Sequence, residues 1–426
     1  MNNVSSAQPA TFNSLSEDPA IIYFDKSVPG ACLVETRCGH IFEQKNIFKS
    51  FDGKTLEDRV CAVCNNKNPL PLKVILGRCD DADRYCRNPA LEAACTGNTT
   101  DLEAILTDDP EAVRKKFNDP EYGHEVTLLH AAVDSIQLSV VKLLLRFKAD
   151  VNAYIQYKPE LRGFTPLMLA IENGNEHTEI VDLLVQRGAD VNAIMSDSGE
   201  MLTEPPILNA IQMGDIETVK FLVSNGAKVD GDLSGDKFNG FTPLMMAAQE
   251  GHVDIVKYLL KKGSNANEAQ YDAGENDGRT PLLMAAIYGH TNVGKILVEH
   301  GADVDAVISG AGDIQGGTSL ITAACCGNEE FVKFLLDKKA NLNAAMGAEA
   351  KKGCTALWYA SHYGYKTIVQ ALLEAGADPN PVEKPDDASR QCRTAYMAAM
   401  DNEHEEVAKL LLDHGATTLP PNTPSQ

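Results

Sequence analysis

Cys38-Gly39-His40 and, twenty residues further on, Cys61-Ala62-Val63-Cys64 put four zinc-type ligands into one short stretch. Two close pairs of Cys and His suit a closed tetrahedral site. This is the structural form of zinc binding: all four positions are filled, which argues against a hydrolase that needs an open position for water. The expected metal ligands are therefore Cys38, His40, Cys61 and Cys64, with Zn as the cofactor. A Cys-x-His pair fits a tight strand turn and Cys-x-x-Cys a knuckle-like turn. Between them, Ile41 to Phe51 has apolar residues at helical spacing, and Asp52-Gly53 can end such a helix. Phe42, Ile47, Phe48 and Phe51 would supply only a very small core. Structural zinc contributes about 10–16 kcal/mol in zinc-finger peptides and would offset that deficit. Cys79 and Cys86 fall outside the spacing and read as ordinary thiols.

Those ligands must be carried by a chain of 426 residues, too long for one ordinary core. Residues 1–88 are neutral, with eleven basic and eleven acidic residues, so the remainder carries the whole net charge of −22. An acidic surface repels phosphate backbones and anionic membranes and attracts basic proteins. Nucleic acid and membrane are thus excluded as expected partners, and a protein with a basic patch is favoured. Met1 to Ser6 shows neither a basic region nor an apolar run, and no stretch approaches a membrane span. The eleven cysteines then suggest a reducing compartment, where such residues more often bind metal than pair. The expected location is cytoplasmic, in the cell of origin or in a host cell if the chain is a delivered bacterial effector. Residues 1–17 and 419–426 are polar and turn-rich, and read as disordered tails.

Beyond the N-terminal region the chain repeats. A Thr-Pro-Leu-x-x-Ala motif, with variants, starts at Thr127, Thr165, Pro205, Thr242, Thr280, Thr318, Thr355 and Thr394, in steps of 37 to 40 residues. Each start has an alanine five residues later, and most units end in a mark like Gly188-Ala189-Asp190-Val191-Asn192. Between these marks lie two helical stretches, the first short and Ala-rich, the second with apolar spacing such as Ile255, Val256 and Leu259. Glycines 174, 214, 251, 289, 327 and 364 separate them, where a helix end needs a left-handed residue. Small alanines let neighbouring helices approach closely, and each unit buries its apolar face only against its neighbours.

This pattern resembles ankyrin repeats over roughly residues 89–418, with 90–107 as a degenerate capping unit and Gly415-Ala416-Thr417 as a terminal variant. Ankyrin units run about 33 residues. The excess here follows the Asp-Val-Asn mark, in stretches such as 154–163, 194–204, 231–240 and 269–278, which the resemblance assigns to hairpin fingers. Insertions on one face usually mark the binding face. The resemblance also implies contact through the two residues before each inter-helix glycine. The expected substrate-binding residues are Met213, Ile287, Tyr288, His362 and Tyr363, with Tyr154 and Tyr271 from the fingers. Trp358 and His130 read as packing residues, and Cys325-Cys326 as small helix residues rather than a redox pair. No Walker loop, His-Glu-x-x-His site, nucleophile elbow or dinucleotide fingerprint stands in the array.

The N-terminal stretch has a second resemblance. Cys38-Gly39-His40-Ile41-Phe42-Glu43, Ile47, Cys61-x-x-Cys64 and Pro69-Leu70 are similar to RING-related ligase modules, above all the single-zinc SP-RING form, and more generally to the U-box. That resemblance implies a groove for a ubiquitin-conjugating enzyme built from Ile22, Pro69 and Leu70, with catalysis by positioning and no nucleophile on this chain. The upstream Cys-x-x-Cys of a two-zinc RING is missing, and Ala62 stands where a proline is frequent.

The expected architecture is mainly α: an ankyrin-repeat solenoid of about nine repeats with long hairpin fingers, preceded by a small α+β zinc-binding RING/U-box-like module. The expected divisions are a tail (1–17), the module (18–78), a linker helix (79–90), the repeats (91–418) and a second tail (419–426). The expected function is a ubiquitin-protein ligase whose repeats bind the substrate protein. A non-enzymatic ankyrin scaffold with a structural zinc knuckle is the alternative, and a SUMO ligase a further one.

Overall fold

The computed structural model describes residues 33–35, 41–43, 73–76, 88–119, 124–156, 163–174, 178–194, 205–230, 240–270, 278–308, 316–347, 352–383 and 393–419. The chain divides into two units, one of Met1–Asp150 with Ile155–Glu160, the other of Val151–Tyr154 with Leu161–Gln426.

In the first unit, β1 (Leu33–Glu35), β2 (Ile41–Glu43) and β3 (Lys73–Leu76) form an antiparallel sheet in the order β2-β1-β3. The β1–β2 register pairs Leu33 with Glu43, Val34 with Phe42 and Glu35 with Ile41. This corrects the helix expected from Ile41 onward: its first three residues are strand, and 44–51 lie outside the described residues. A β-branched and an aromatic residue beside a ready partner strand favour the ladder, which satisfies their backbone groups.

The same unit then builds two helix pairs, α1 (Pro89–Thr96) with α2 (Thr99–Asp108), and α3 (Leu128–Asp134) with α4 (Leu138–Arg146). The first pair is the capping unit read at 90–107. It starts at Pro89, because Asn88 accepts from the Ala90 amide and proline suits the first turn. Residues 79–87 of the expected linker helix lie outside the described residues. A 3-10 turn (Pro110–Arg114) and the hairpin of β4 (Lys116–Asp119) and β5 (His124–Thr127) join the pairs, and β6 (Ile155–Gln156) follows.

The second unit opens with β7 (Gly163–Phe164) and stacks seven helix pairs. They are α5 (Pro166–Glu172) with α6 (Thr178–Gln186), α7 (Pro206–Gln212) with α8 (Ile216–Ser224), and α9 (Pro243–Glu250) with α10 (Val253–Lys261). Next come α11 (Pro281–Tyr288) with α12 (Thr291–Glu299), and α13 (Ser319–Cys325) with α14 (Glu329–Asp337). Last are α15 (Ala356–His362) with α16 (Lys366–Glu374), then the short β8 (Val382–Glu383) and β9 (Arg393–Thr394), and α17 (Ala395–Asp401) with α18 (Glu405–Asp413). Each first helix packs on the first helix of the next pair. In α9, Leu244, Met245, Met246, Ala247 and Ala248 are all buried, which shows why alanine recurs there.

The recurring threonine is a buried helix cap. Thr165, Thr242, Thr280, Thr318, Thr355 and Thr394 each accept from the amide three residues on, as Thr127 does in the first unit. Each such cap contributes about 0.5–2 kcal/mol. Pro205, the one departure, makes no side-chain cap. The inter-helix glycines take φ between 71° and 81°, as their placement predicts. Ile136 (φ 57°) and Glu403 (φ 63°) fill two equivalent turns without glycine, and a β-branched residue pays steric strain there.

Candidate protein-interaction surface

The repeats are sewn together by two sets of side chains. The last residue of the Asp-Val-Asn mark reaches into the next repeat's turn. Asn267 Nδ2 donates to the Gly301 carbonyl (2.8 Å), and its Oδ1 accepts from the Asp303 amide (2.7 Å). Asn152, Asn192 and Asn380 do the same toward Gly188 and Asp190, Gly226 and Lys228, and Gly415 and Thr417. Second, the residue after four of the inter-helix glycines, His252, His290, Asn328 and Tyr365, covers the preceding repeat's turn. His290 Nε2 donates to the Gln249 carbonyl (2.9 Å), and Asn328 Nδ2 to Ala286 (2.7 Å). A Cβ on Gly251 would lie 2.5 Å from His290, and one on Gly364 2.6 Å from His404, so these turns need glycine for space as well as for φ.

This framework fixes the ends of the first helices, where the expected contact residues stand. Met213, Tyr288 and Tyr363 are 55%, 52% and 46% exposed, which leaves their large side chains open to a partner. Tyr288 stacks beside His290, with ring centroids 6.4 Å apart. Tyr363 belongs to a chain of rings: Trp358 stacks on His362 at 5.1 Å, His362 meets Tyr363 edge-on at 4.8 Å, and Tyr365 lies 5.9 Å beyond. Trp358 is buried and donates from Nε1 to the Arg393 carbonyl (3.2 Å), so it is the packing residue expected from its position. Burial, and then the neighbouring Cys325, push the Tyr363 phenol up from its ordinary value, which keeps it a neutral donor. His130 is likewise structural: buried, and bonded through Nδ1 to Thr127 Oγ1 (2.7 Å).

The structure separates the expected contact residues into groups. Ile287 with Tyr288, and His362 with Tyr363, sit on first helices two repeats apart, and Met213 stands two repeats before Tyr288. Ile287, His362 and Tyr154 are half-buried. Tyr271, the metal candidates Cys38, His40, Cys61 and Cys64, and the groove candidates Ile22, Pro69 and Leu70 all lie outside the described residues.

Ile287 instead lines a cavity of about 200 Å³ that no sequence motif marks. Its walls come from Ile308 and Met346 at finger bases, Ile321 and Cys325 on α13, and Tyr359 on α15. The finger bases are held by backbone pairs: the Ile308 amide donates to Gly317 (3.0 Å) and the Met346 amide to Cys354 (2.9 Å). Tyr359 donates to Met346 Sδ at 3.0 Å, and burial drives its phenol pKa upward. Residues so far apart in sequence give no local signal. The roofing residues do give one, a polar or aromatic side chain directly after the glycine, as in Gly251-His252, Gly289-His290 and Gly364-Tyr365.

Comparison with known families matches the description "Ankyrin repeats (3 copies)" over residues 91–195, 207–308, 268–346, 308–383 and 346–422, more than half of the chain. The chain belongs to the ankyrin-repeat family. A second ankyrin description, "many copies", matches residues 175–223. Among curated proteins, 71 residues are 41% identical to the ankyrin repeat and KH domain-containing protein mask-1 of Caenorhabditis elegans. That match covers 17% of this chain and 2% of the relative's length. Among the described residues no helix is long and apolar enough to cross a membrane, and no His/Cys/Asp/Glu cluster suits a metal ion.

Proposed function

We propose that the chain is a protein-interaction scaffold whose repeat array binds a partner protein through the ends of the first helices α11 to α15. The observation that carries this is the pair of half-exposed tyrosines, Tyr288 and Tyr363, held at the ends of a row of first helices that pack on one another through buried residues. Large aromatic side chains fixed at low entropy cost are the usual anchors of protein interfaces. The net charge of −22 favours a partner with a basic patch. Quantitative cross-linking and purification from cells should recover proteins with the wild-type chain that are lost with Tyr288→Ala/Tyr363→Ala of equal melting temperature. An identical set of proteins from both chains overturns this surface.

A second reading adds ubiquitin ligation, with zinc on Cys38, His40, Cys61 and Cys64 and a conjugating enzyme on Ile22, Pro69 and Leu70. It is favoured by one observation: β1 and β2, the strands on either side of Cys38-Gly39-His40 in the sequence, pair antiparallel, with Glu35 opposite Ile41. Reconstituted transfer with ubiquitin or SUMO and a panel of conjugating enzymes decides between the readings. Conjugates that vanish in Ile22→Asp support ligation and name the modifier. Their absence with folded, zinc-loaded protein leaves the scaffold.

A further inference from the structure

We propose that the cavity bounded by α11, α13 and α15 is an anchor pocket for one large apolar side chain of the partner, carried on a basic segment that runs toward Glu250. This rests on the scaffold reading and gives it a chemistry. The volume of about 200 Å³ exceeds the roughly 150 Å³ of an engineered apolar cavity that holds benzene, so a Leu, Met or Phe side chain fits. The walls are mainly apolar: Ile287, Ile308, Ile321 and Met346 line them, the Tyr359 hydroxyl is already bonded to Met346, and Arg279 and Thr322 supply the polar part of the lining. The exposed tyrosines stand beside it, Tyr288 directly after the wall residue Ile287, and Tyr363 close enough to the wall residue Cys325 for that thiol to help push its phenol up. An apolar hole with aromatic neighbours is the anatomy of an interface hot spot.

Charge sets the flanks. One repeat before Tyr288, the equivalent position holds Glu250, whose carboxylate bonds, among the described residues, a neutral amide, that of Gln249, at 3.0 Å. Beyond the pocket, Asp401 is already paired with Arg393 at 2.6 Å. Arg279 lines the cavity next to Thr280, which caps the N-terminus of α11, whereas Glu250 and Tyr288 end their helices. A basic segment is therefore drawn along the helix ends toward Glu250, which gives it one direction. Packed helices lie about 8–10 Å apart, so Glu250 is roughly 10–15 Å from the pocket, or three to four extended residues.

The test is a random peptide library displayed on phage and selected on the full chain, with selected peptides then measured by fluorescence anisotropy. The selected peptides should share Leu, Met or Phe with Lys or Arg three or four residues away. Replacing the apolar residue by Ala should weaken binding by about 10- to 100-fold. Cys326→Trp, which plugs the cavity from an exposed helix end, should weaken it as much with an unchanged melting temperature. Glu250→Lys should weaken peptides that carry the basic residue and spare versions with Gln in its place. Peptides that bind Cys326→Trp as tightly as wild type overturn the pocket and leave the scaffold reading standing. A library that yields no binder overturns the pocket too, while the cross-linking comparison judges the scaffold separately.

Discussion

Gly294 lies inside α12, where glycine costs about 1 kcal/mol relative to alanine, so Gly294→Ala would stabilise an ordinary helix. Here the reverse is expected. A Cβ at Gly294 would stand 2.6 Å from Cζ and 2.8 Å from Cε2 of Phe331 in the following repeat. Phe331 is wholly buried and packs edge-on against Phe334, with centroids 5.7 Å apart, so it has little room to retreat. Overpacking of this kind costs about 1–3 kcal/mol. Subtracting the helix gain leaves a net destabilisation of about 1 kcal/mol, and up to about 2. Trp358 is the only tryptophan and is buried in the same unit, so its fluorescence reports urea unfolding directly. With a slope of about 3 kcal/mol/M, the midpoint should fall by roughly 0.3–0.7 M. In a Phe331→Leu background the same substitution should lose its cost, giving a coupling energy of at least about 1 kcal/mol. A rise in midpoint for Gly294→Ala in the wild-type background would refute the interlock between α12 and α14.

Asn267→Ala removes both bonds that tie one repeat's turn to the next, and should cost about 1–2 kcal/mol by the same unfolding assay. Thr280→Ala should cost about 0.5–2 kcal/mol, while Thr280→Ser, which keeps the capping hydroxyl, should restore most of it. Burial holds the Cys326 thiol above its ordinary value, which favours the neutral form. Iodoacetamide should therefore alkylate it more slowly at neutral pH than a cysteine in a short peptide, with a rate that rises as pH passes above 9.0. Glu329 and Glu406 have folded pKa values lowered by Lys333 and Lys366, so each contributes stability present above its unfolded pKa. That contribution is lost as pH falls through the folded value, and the melting temperature should drop on acidification below about pH 4.5.

Much of the repeat fold is legible because its rules are local. Thr280 announces a cap, Gly289 a left-handed turn, and Ala285 a close helix approach, each with one physical reason for one residue type. The Asp-Val-Asn mark was visible as a repeat signal, but its purpose was not. The side chain of Asn267 finds its partners at Gly301 and Asp303, more than thirty residues away. The cavity was invisible for the same reason: Ile287, Ile321, Met346 and Tyr359 converge only through stacking. Half-burial of His362 likewise depends on Trp358 beneath it and Asn402 of the next repeat, whose amide donates to its Nδ1 at 3.0 Å. At Ile41 the pattern misled, because three residues fit helix and strand spacing equally and the neighbouring Leu33–Glu35 decided for strand.

The central claim is that the row from Tyr288 to Tyr363 captures a protein partner. The most direct measurement is isothermal titration of a partner recovered by cross-linking against the wild-type chain and against Tyr288→Ala/Tyr363→Ala. Two hot-spot aromatics of at least about 2 kcal/mol each predict an affinity loss of several hundred-fold, with the melting temperature unchanged. Equal affinity for the two chains would contradict the account.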